Sequence, residues 1–155
     1  MEPDKQALSD LIRNIIREEL AGILSGNPGR HADPSGVIGV DARKAELEDF
    51  PFPTEAKRVK LKDLFTVEES PRLGAGIMEM EKTSLDWTLT YDEVDYVISG
   101  ALEIIIDGRK VRAEAGEVVY IPKNTSITFS APEYAKFLYV VYPANWAETA
   151  QSGPG

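Results

Sequence analysis

Hydrophobic residues near the start of the chain recur at the spacing of a helix. Between Asp4 and Leu24 they are separated by three, four or one positions, so they form one stripe on a helical surface. The stripe consists of Leu8, Leu11, Ile12, Ile15, Ile16, Leu20, Ile23 and Leu24. Asp4 is the expected N-cap because its side chain can accept a hydrogen bond from the first turn. The pattern predicts an amphipathic helix within residues 1–24.

The next residues lack any such period. Glycine, proline and serine dominate from Ser25 to about Gly39, which predicts a flexible linker. The stretch from Val40 to Thr54 ends in Phe50-Pro51-Phe52-Pro53, and we expect it to pack loosely without forming a strand. The predicted organisation is therefore a helix over 1–24, a linker and loosely packed arm over 25–54, a domain over 55–149 and a disordered tail over 150–155.

Short β-rich segments separated by turn residues fill the third region. They are predicted at 59–64, 75–81, 86–90, 94–99, 102–106, 110–113, 117–121, 126–130 and 136–142. Asp107-Gly108 supplies the two positive-φ residues of a tight hairpin, and Ser99-Gly100 and Ala115-Gly116 indicate further turns. Many short strands at this spacing predict an all-β sandwich or barrel.

Composition narrows the classes of partner. Net charge is −9, so the surface would repel nucleic acid and anionic lipid. The chain has no cysteine, which excludes disulfides and thiolate metal sites and fits the reducing cytoplasm. No apolar run reaches the roughly 20 residues that a membrane-spanning helix needs, and the N-terminus does not read as a secretory signal.

Two segments sharpen the fold prediction. Residues 93–100 contain a glutamate, six residues and a turn glycine, and residues 116–122 contain a glycine, five residues and a proline. Together they resemble the cupin signature, which implies a small jelly-roll β-barrel. The family pattern also places two histidines ahead of the glutamate and one after the proline. Here the first stretch is Asp86–Thr90, Ile127 occupies the later position, and the only histidine is His31. We therefore expect no iron, manganese or zinc site.

A narrower resemblance rests on three stretches. They are Trp87-Thr88-Leu89-Thr90-Tyr91-Asp92-Glu93, Ile121-Pro122-Lys123 and Pro143-Ala144-Asn145-Trp146. These stretches resemble the EutQ family of ethanolamine-utilisation proteins, over about residues 73–146. The resemblance implies a dimeric cupin that is associated with a bacterial microcompartment in the cytoplasm. It also implies acetate kinase activity, which transfers a phosphoryl group between ATP and acetate.

Strand alternation predicts which side chains face the barrel interior. If Glu93 points inward, then Asp95 and Val97 do so too, and Tyr91 follows at the mouth. Ile127 is inward, with Thr125 and Phe129 in the same phase, and Tyr120 is expected inward. On the preceding strand, either Met78 and Met80 or Glu79 and Glu81 line the interior, depending on register. Trp87 and Tyr139 are candidates for an aromatic wall.

The chemistry of these residues leaves two interpretations open. In the first interpretation, Glu93 and Asp95 bind Mg²⁺ and Tyr91 positions the substrate. The aromatic residues that contact a nucleotide are then Trp87, Tyr120 and Tyr139. Alternatively, the two acids hydrogen-bond to tyrosine and threonine hydroxyls and only satisfy a polar interior. Because phosphates need cations or backbone amides, Lys82 is the candidate cationic contact, with Lys123 and Arg72 also considered. The alternative for each is a solvated surface charge.

The N-terminal helix suggests a function of a different class. A short amphipathic helix on a linker buries its stripe on a partner, on its own domain or on a second copy. Microcompartment cargo typically carries such a segment, so the resemblance to the EutQ family implies that residues 4–24 contact microcompartment shell or core proteins. In this alternative the domain is a non-catalytic, dimeric assembly factor. Asp10, Glu18 and Glu19 on the polar face argue against membrane binding.

Overall fold

The computed structural model describes residues 4–24 and 29–151, and the side chains of residues 4–17 and 29–148. The chain divides into two compact units, Met1–Glu46 and Leu47–Gly155. The predicted linker residues 25–28 and tail residues 152–155 lie outside the described residues. None of the described helices combines the length and the apolar character that crossing a lipid bilayer requires.

The first unit contains the predicted helix and a small hairpin. Helix α1 spans Lys5–Leu24, and the Gln6 backbone N–H donates to Asp4 Oδ1 at 3.0 Å, which confirms Asp4 as the N-cap. Strands β1 (Arg30–Ala32) and β2 (Ile38–Val40) pair antiparallel, and a short 3₁₀ helix follows at Ala42–Lys44. The prediction of an unstructured linker is therefore wrong for this hairpin.

The second unit is built almost entirely of strands. These are β3 (Glu48–Asp49), β4 (Val59–Asp63), β5 (Gly74–Thr88), β6 (Asp92–Ile106), β7 (Arg109–Glu114), β8 (Val118–Ile121) and β9 (Ser126–Tyr142), followed by helix α2 (Trp146–Gln151). In the described residues they form one antiparallel sheet in the order β3-β4-β5-β9-β6-β7, and β8 also pairs with β6. The all-β prediction is confirmed. We expected no strand between 40 and 54, and β3 corrects that expectation. Residues 150 and 151 of the predicted tail belong to α2.

Three pairs of predicted short strands prove to be single long strands. Strands β5, β6 and β9 each cover two predicted segments and continue through a bend rather than a turn. The pairing of β6 with β9 shifts on both sides of Gly100, whose φ is +76°, and a Cβ there would overlap the backbone carbonyl of Tyr134. Ser99-Gly100 therefore bends a continuous strand. In contrast, Asp107 and Gly108 both have positive φ, as the predicted hairpin requires.

The core lies on the inner face of the long strands. Its fully buried side chains include Ile77, Met80, Leu89, Val97, Leu102, Ile104, Ile121 and Phe137. Met78 and Met80 are buried whereas Glu79 is half-buried and Glu81 is exposed, which settles the open register of β5. Ile127 and Phe129 are buried as expected, and Thr125 is half-buried.

Candidate functional site: an acidic, aromatic-walled cavity

Strand β6 carries the central acidic pair of the site. Glu93 and Asp95 stand at alternate positions, so both face inward, and they are 5% and 0% exposed. Glu93 lies opposite Ile121 of β8 and Val141 of β9, and Asp95 lies opposite Val119 and Tyr139. Since strands flank β6 on both sides, the two carboxyl groups are held in the interior, as the alternation predicted.

A cavity of about 300 Å³ opens beside Glu93. Its apolar lining comes from the inner faces of β4, β5 and β9, and includes Leu61, Met78, Leu85, Phe129, Phe137 and Val141. Its polar lining includes Tyr91, Glu93 and Tyr139. Asp95 is not part of the lining and therefore lies behind Glu93 rather than on the cavity surface.

One wall of the cavity is a cluster of five aromatic rings, which we call the aromatic wall: Phe50, Phe52, Trp87, Tyr91 and Trp146. Ring centroids are 4.7 Å apart for Tyr91 and Trp146, and 5.3 Å for Phe52 and Trp87. The indole N–H of Trp87 donates to the Tyr91 hydroxyl at 2.8 Å. This arrangement fixes the ring orientations and leaves the Tyr91 O–H available as a donor.

The charged groups of the lining all have one sign. They are Asp63, Glu93 and Glu148, and among the residues that the structure describes no lysine, arginine or histidine lines the cavity. The Tyr139 hydroxyl donates to Asp63 Oδ1 at 2.5 Å. Burial, followed by the negative charges of Asp63 and Glu93, raises the pKa of Tyr139 above its usual range. The cavity is thus a site of negative potential.

Glu93 and Asp95 resist ionisation together. Burial raises the pKa of Glu93 to about 7, and a hydrogen bond from Asp95 opposes that rise. The pKa of Asp95 is raised by burial, by the charge of Glu93 and by the same hydrogen bond. The proton that the two carboxyls share therefore stays on Asp95, and Glu93 is the group that becomes negatively charged near neutral pH.

Among the described residues, no hydroxyl group donates a hydrogen bond to the buried oxygens of Glu93 and Asp95. Glu93 Oε2 and both Asp95 oxygens are buried without a hydrogen-bond partner among the described residues, apart from each other when one is protonated. The interpretation that tyrosine and threonine hydroxyls satisfy both acids is therefore wrong for these three oxygens. Buried polar atoms of this kind usually have partners, and Glu93 also lines the cavity, so its carboxyl is a candidate ligand contact.

The donor set for a metal ion is small. In the described part of the chain, no group of three or more His, Cys, Asp or Glu side chains converges in a way that would hold one. Mg²⁺ bound through Glu93 and Asp95 would need oxygens from substrate or water to complete its six ligands. The Mg²⁺ site stays a prediction, with Glu93 as its cavity-facing ligand.

Two predicted site residues lie elsewhere. Tyr120 is 62% exposed, so its predicted inward orientation is wrong. Strand β8 pairs Tyr120 with Val94, which faces outward because its neighbours Glu93 and Asp95 face inward. Lys82 sits at the bend of β5 with φ +44°, and its side chain is exposed and outside the lining. Neither residue contributes to this cavity, whereas Trp87, Tyr91, Glu93 and Tyr139 all line it.

The lining residues that the predicted site lacks include three aromatic residues and one acid. Phe50 and Phe52 come from the arm that was expected to pack loosely, Trp146 comes from α2, and Asp63 ends β4. The alternation of two phenylalanines with two prolines was the available signal for the arm, because apolar rings in a turn-rich segment are expected to pack against another surface. Asp63 carried no comparable signal.

The fold is of the cupin class, and carboxylates and aromatic rings occupy its interior. The structure superposes on the cupin domain of Schizosaccharomyces pombe Cnp3 with a TM-score of 0.56 at 17% identity, covering 76% of this chain and 81% of that one. Within that class, the sequence profile of the family described as "Ethanolamine utilisation protein EutQ" matches residues 3–148. The chain belongs to this family.

Two relatives from one organism agree with the assignment. A Clostridioides difficile protein named "Acetate kinase EutQ" is 49% identical over 93% of this chain and 94% of its own length. The solved structure of the Clostridium difficile EutQ protein gives a TM-score of 0.71 at 51% identity, covering 76% of this chain and 95% of that one. The chain spans about half of the Salmonella typhimurium and Escherichia coli proteins of the same name, 48% and 47%.

Proposed function

We propose that the protein is an acetate kinase of ethanolamine utilisation. The observation that carries this proposal is the 49% identity to a protein named acetate kinase, spanning nearly the full length of both chains. In the reaction, a carboxylate oxygen of acetate attacks the γ-phosphorus of ATP, and the bond from that phosphorus to the ADP oxygen breaks. Acetyl phosphate and ADP are the products.

The cavity supports specific roles for its residues. Tyr91 donates its hydroxyl proton to an acetate oxygen, and Trp87 holds the Tyr91 hydroxyl in place at 2.8 Å. Because the lining charges are all negative in the described residues, a nucleotide phosphate requires a divalent cation to enter. Glu93 is the ligand for that cation, and Asp95, behind it, controls how readily Glu93 ionises.

The test is turnover by the full chain. ATP formation from ADP and acetyl phosphate is measured by a luciferase assay with Mg²⁺, and again after chelation with EDTA. We expect Mg²⁺-dependent turnover that falls at least ~100-fold in Glu93→Gln, the order associated with one lost electrostatic contact. Glu133→Gln, an exposed acid outside the cavity lining, is the matched control. The absence of turnover above a protein-free blank contradicts the proposal. Full activity of Glu93→Gln contradicts the assignment of Glu93 as the ligand of the divalent cation.

A second function is favoured by the N-terminal helix. Its apolar side chains Leu8, Leu11, Ile12, Ile15 and Ile16 are between 48% and 56% exposed. Such a stripe fits a groove on another protein, and we assign it to a microcompartment shell or core protein. This association would place the protein at the organelle within the cytoplasm.

The helix variant removes two apolar side chains from the stripe, and its control removes two charged side chains outside the stripe. Co-assembly of shell proteins with the full chain is compared for Leu11→Gln with Ile15→Gln and for Arg13→Gln with Arg17→Gln. Loss of recruitment in the first double variant alone supports the contact. Equal recruitment by both variants contradicts it.

Homodimer formation is the third part of the proposal. The outer face of β6 and β8 exposes Val94, Tyr96, Ile98, Val118 and Tyr120, each at least 40%. Registers place Val94 beside Tyr120 and Tyr96 beside Val118, so these side chains form one apolar surface. A surface of this kind fits a second copy of the chain. Light scattering on the wild type and on Tyr96→Lys with Val118→Lys tests it, and a monomeric wild type contradicts it.

A further inference from the structure

We propose that the cavity beside Glu93 binds a small organic ammonium ion, such as a protonated amino alcohol, between the Glu93 carboxylate and the aromatic wall. This proposal does not rest on the acetate kinase activity. It concerns which charge and shape the cavity prefers when no nucleotide is present.

Charge is the first observation. The described lining has three carboxyl-bearing residues, Asp63, Glu93 and Glu148, and no cationic side chain. Glu93 is only 5% exposed and its Oε2 atom has no partner among the described residues. A buried carboxylate without a counter-charge is unfavourable, so a cation that enters the cavity relieves this cost.

The aromatic wall is the second, independent observation. An ammonium ion is attracted to the faces of indole and phenol rings, by roughly 0.5–2 kcal/mol for each favourable contact. Trp87, Tyr91 and Trp146 present such rings to the cavity within one contiguous cluster. The ring planes of Trp87 and Trp146 are nearly perpendicular, at 88°, so the two indoles line the cavity in different orientations.

The same observations argue against a bare metal ion as the preferred occupant. A hard cation such as Mg²⁺ favours oxygen ligands and gains little from aromatic walls. Among the described residues, no three acidic or imidazole side chains converge closely enough to hold a metal ion. An organic cation uses both the carboxylate and the rings, whereas a metal ion uses only the first.

Size and polarity narrow the ligand class. A volume of about 300 Å³ is at the lower end for small-molecule sites, which suits a ligand of few heavy atoms. The Tyr91 hydroxyl accepts the Trp87 N–H and keeps its own proton to donate. A ligand with a hydroxyl group a short distance from its ammonium group would use this donor as well as Glu93.

The test measures binding without turnover. Tryptophan fluorescence of the full chain is titrated with 2-aminoethanol at constant ionic strength and without nucleotide. Ethylene glycol is the neutral control of similar size, and acetate is the anionic control. We expect saturable binding of 2-aminoethanol that is at least ~10-fold tighter than that of either control, which is about 1.4 kcal/mol. Equal affinity for ethylene glycol, or no saturable change, overturns the proposal.

Variants separate this site from adventitious binding. Glu93→Gln is expected to weaken 2-aminoethanol binding at least ~10-fold, because it removes the charge and keeps the shape. Phe52→Leu thins the aromatic wall without removing charge and should weaken 2-aminoethanol binding. Glu133→Gln should bind as the wild type does. Undiminished binding in Glu93→Gln overturns the proposal, and circular dichroism confirms that each variant is folded.

The outcomes distinguish this proposal from the previous one. Binding of 2-aminoethanol without phosphoryl transfer supports the ammonium site and contradicts the acetate kinase proposal. Phosphoryl transfer without binding of 2-aminoethanol supports the acetate kinase proposal and contradicts the ammonium site. Saturable binding of MgCl₂ together with no amine binding also overturns the cation proposal.

Discussion

Glu93 and Asp95 face the interior from alternate positions of β6, and the hydrogen bond between their carboxyls keeps a proton on Asp95. Only Glu93 reaches the cavity. The pair therefore acts as one group that carries at most a single negative charge near neutral pH. This relationship explains why an acidic interior is tolerated without a cationic side chain in the described lining.

Stability should depend on pH through Glu93. Its pKa in the folded protein is about 7, against an ordinary value of 4.5, so the folded state holds a proton that the unfolded state releases between these values. The resulting stabilisation is complete below pH 4.5 and is lost as pH rises through about 7. At ~1.4 kcal/mol for each pKa unit, the loss amounts to roughly 3 kcal/mol.

The difference between wild type and Glu93→Gln in urea unfolding at pH 5 and pH 8 isolates this effect. We expect the variant to gain stability relative to the wild type as pH rises. Glu133→Gln should show no such trend. A difference that is independent of pH contradicts the raised pKa.

Glu103 should show the opposite dependence. Lys110 and Arg112 contact its carboxylate at 2.8 Å and 3.2 Å, and the hydrogen bond from Lys110 is the main cause of its lowered pKa. The stabilisation is present above pH 4.5 and is lost as pH falls through the lower folded pKa. Both basic side chains are about half exposed, so we expect Glu103→Gln to cost about 1 kcal/mol at pH 7.

Urea unfolding of Glu103→Gln at pH 7 and pH 3 checks this value. The cost should shrink at pH 3, because the unfolded state takes up its proton below the ordinary pKa of 4.5 and the stabilisation from the lowered pKa then falls. Glu114→Gln is the control, since that acid is 65% exposed and contacts Arg112 only at 3.5 Å. An equal cost for the two variants would argue that Glu103 is an ordinary surface acid.

Removal of the Tyr139 hydroxyl should destabilise the fold slightly. Tyr139→Phe deletes the hydrogen bond to Asp63, which contributes about 1 kcal/mol because Asp63 remains accessible to water. Thermal unfolding measures the change. Tyr142→Phe, on the same strand but 53% exposed, should fall within about 0.5 kcal/mol of wild type. Equal effects of the two changes would contradict a specific role for the Tyr139 hydrogen bond.

Gly76 has no room for a side chain. A Cβ atom there would overlap the Tyr139 hydroxyl and lie 2.6 Å from the backbone oxygen of Lys62. We expect Gly76→Ala to cost about 3 kcal/mol or more, since both obstacles belong to paired strands. Gly39→Ala, where no atom lies within 4 Å, is the control for thermal unfolding. Equal melting temperatures for the two variants would contradict this cost and show that the strands can shift to accommodate a side chain at Gly76.

Alternation along one strand was predictable because it is a local property of the backbone. Glu93, Asp95 and Val97 were expected inward and are buried, and the Asp107-Gly108 hairpin follows from the φ values that those residues tolerate. The amphipathic helix and its Asp4 cap follow from the same kind of local pattern. The absence of cysteine and the single histidine also limit the metal chemistry directly.

Whether a strand continues, and which way it faces, depends on neighbours distant in sequence. Gly100 was interpreted as a turn, yet β6 continues through it because β9 pairs on both sides. Tyr120 was expected inward, but its pairing with Val94 turns it outward. In each case, hydrogen bonds to another strand decided between conformations that the local residues allow equally.

The sequence alone determined the strand-rich fold class, the helix and the inward acidic pair, since each depends on residues within a few positions of one another. Only the tertiary structure decided that Phe50, Phe52 and Trp146 join Trp87 in one wall. It also decided that, among the described residues, no cationic side chain lines the cavity beside Glu93. A cavity is a relation among residues from many strands. Its shape and net charge follow from sheet register and chain crossings, which no local pattern encodes.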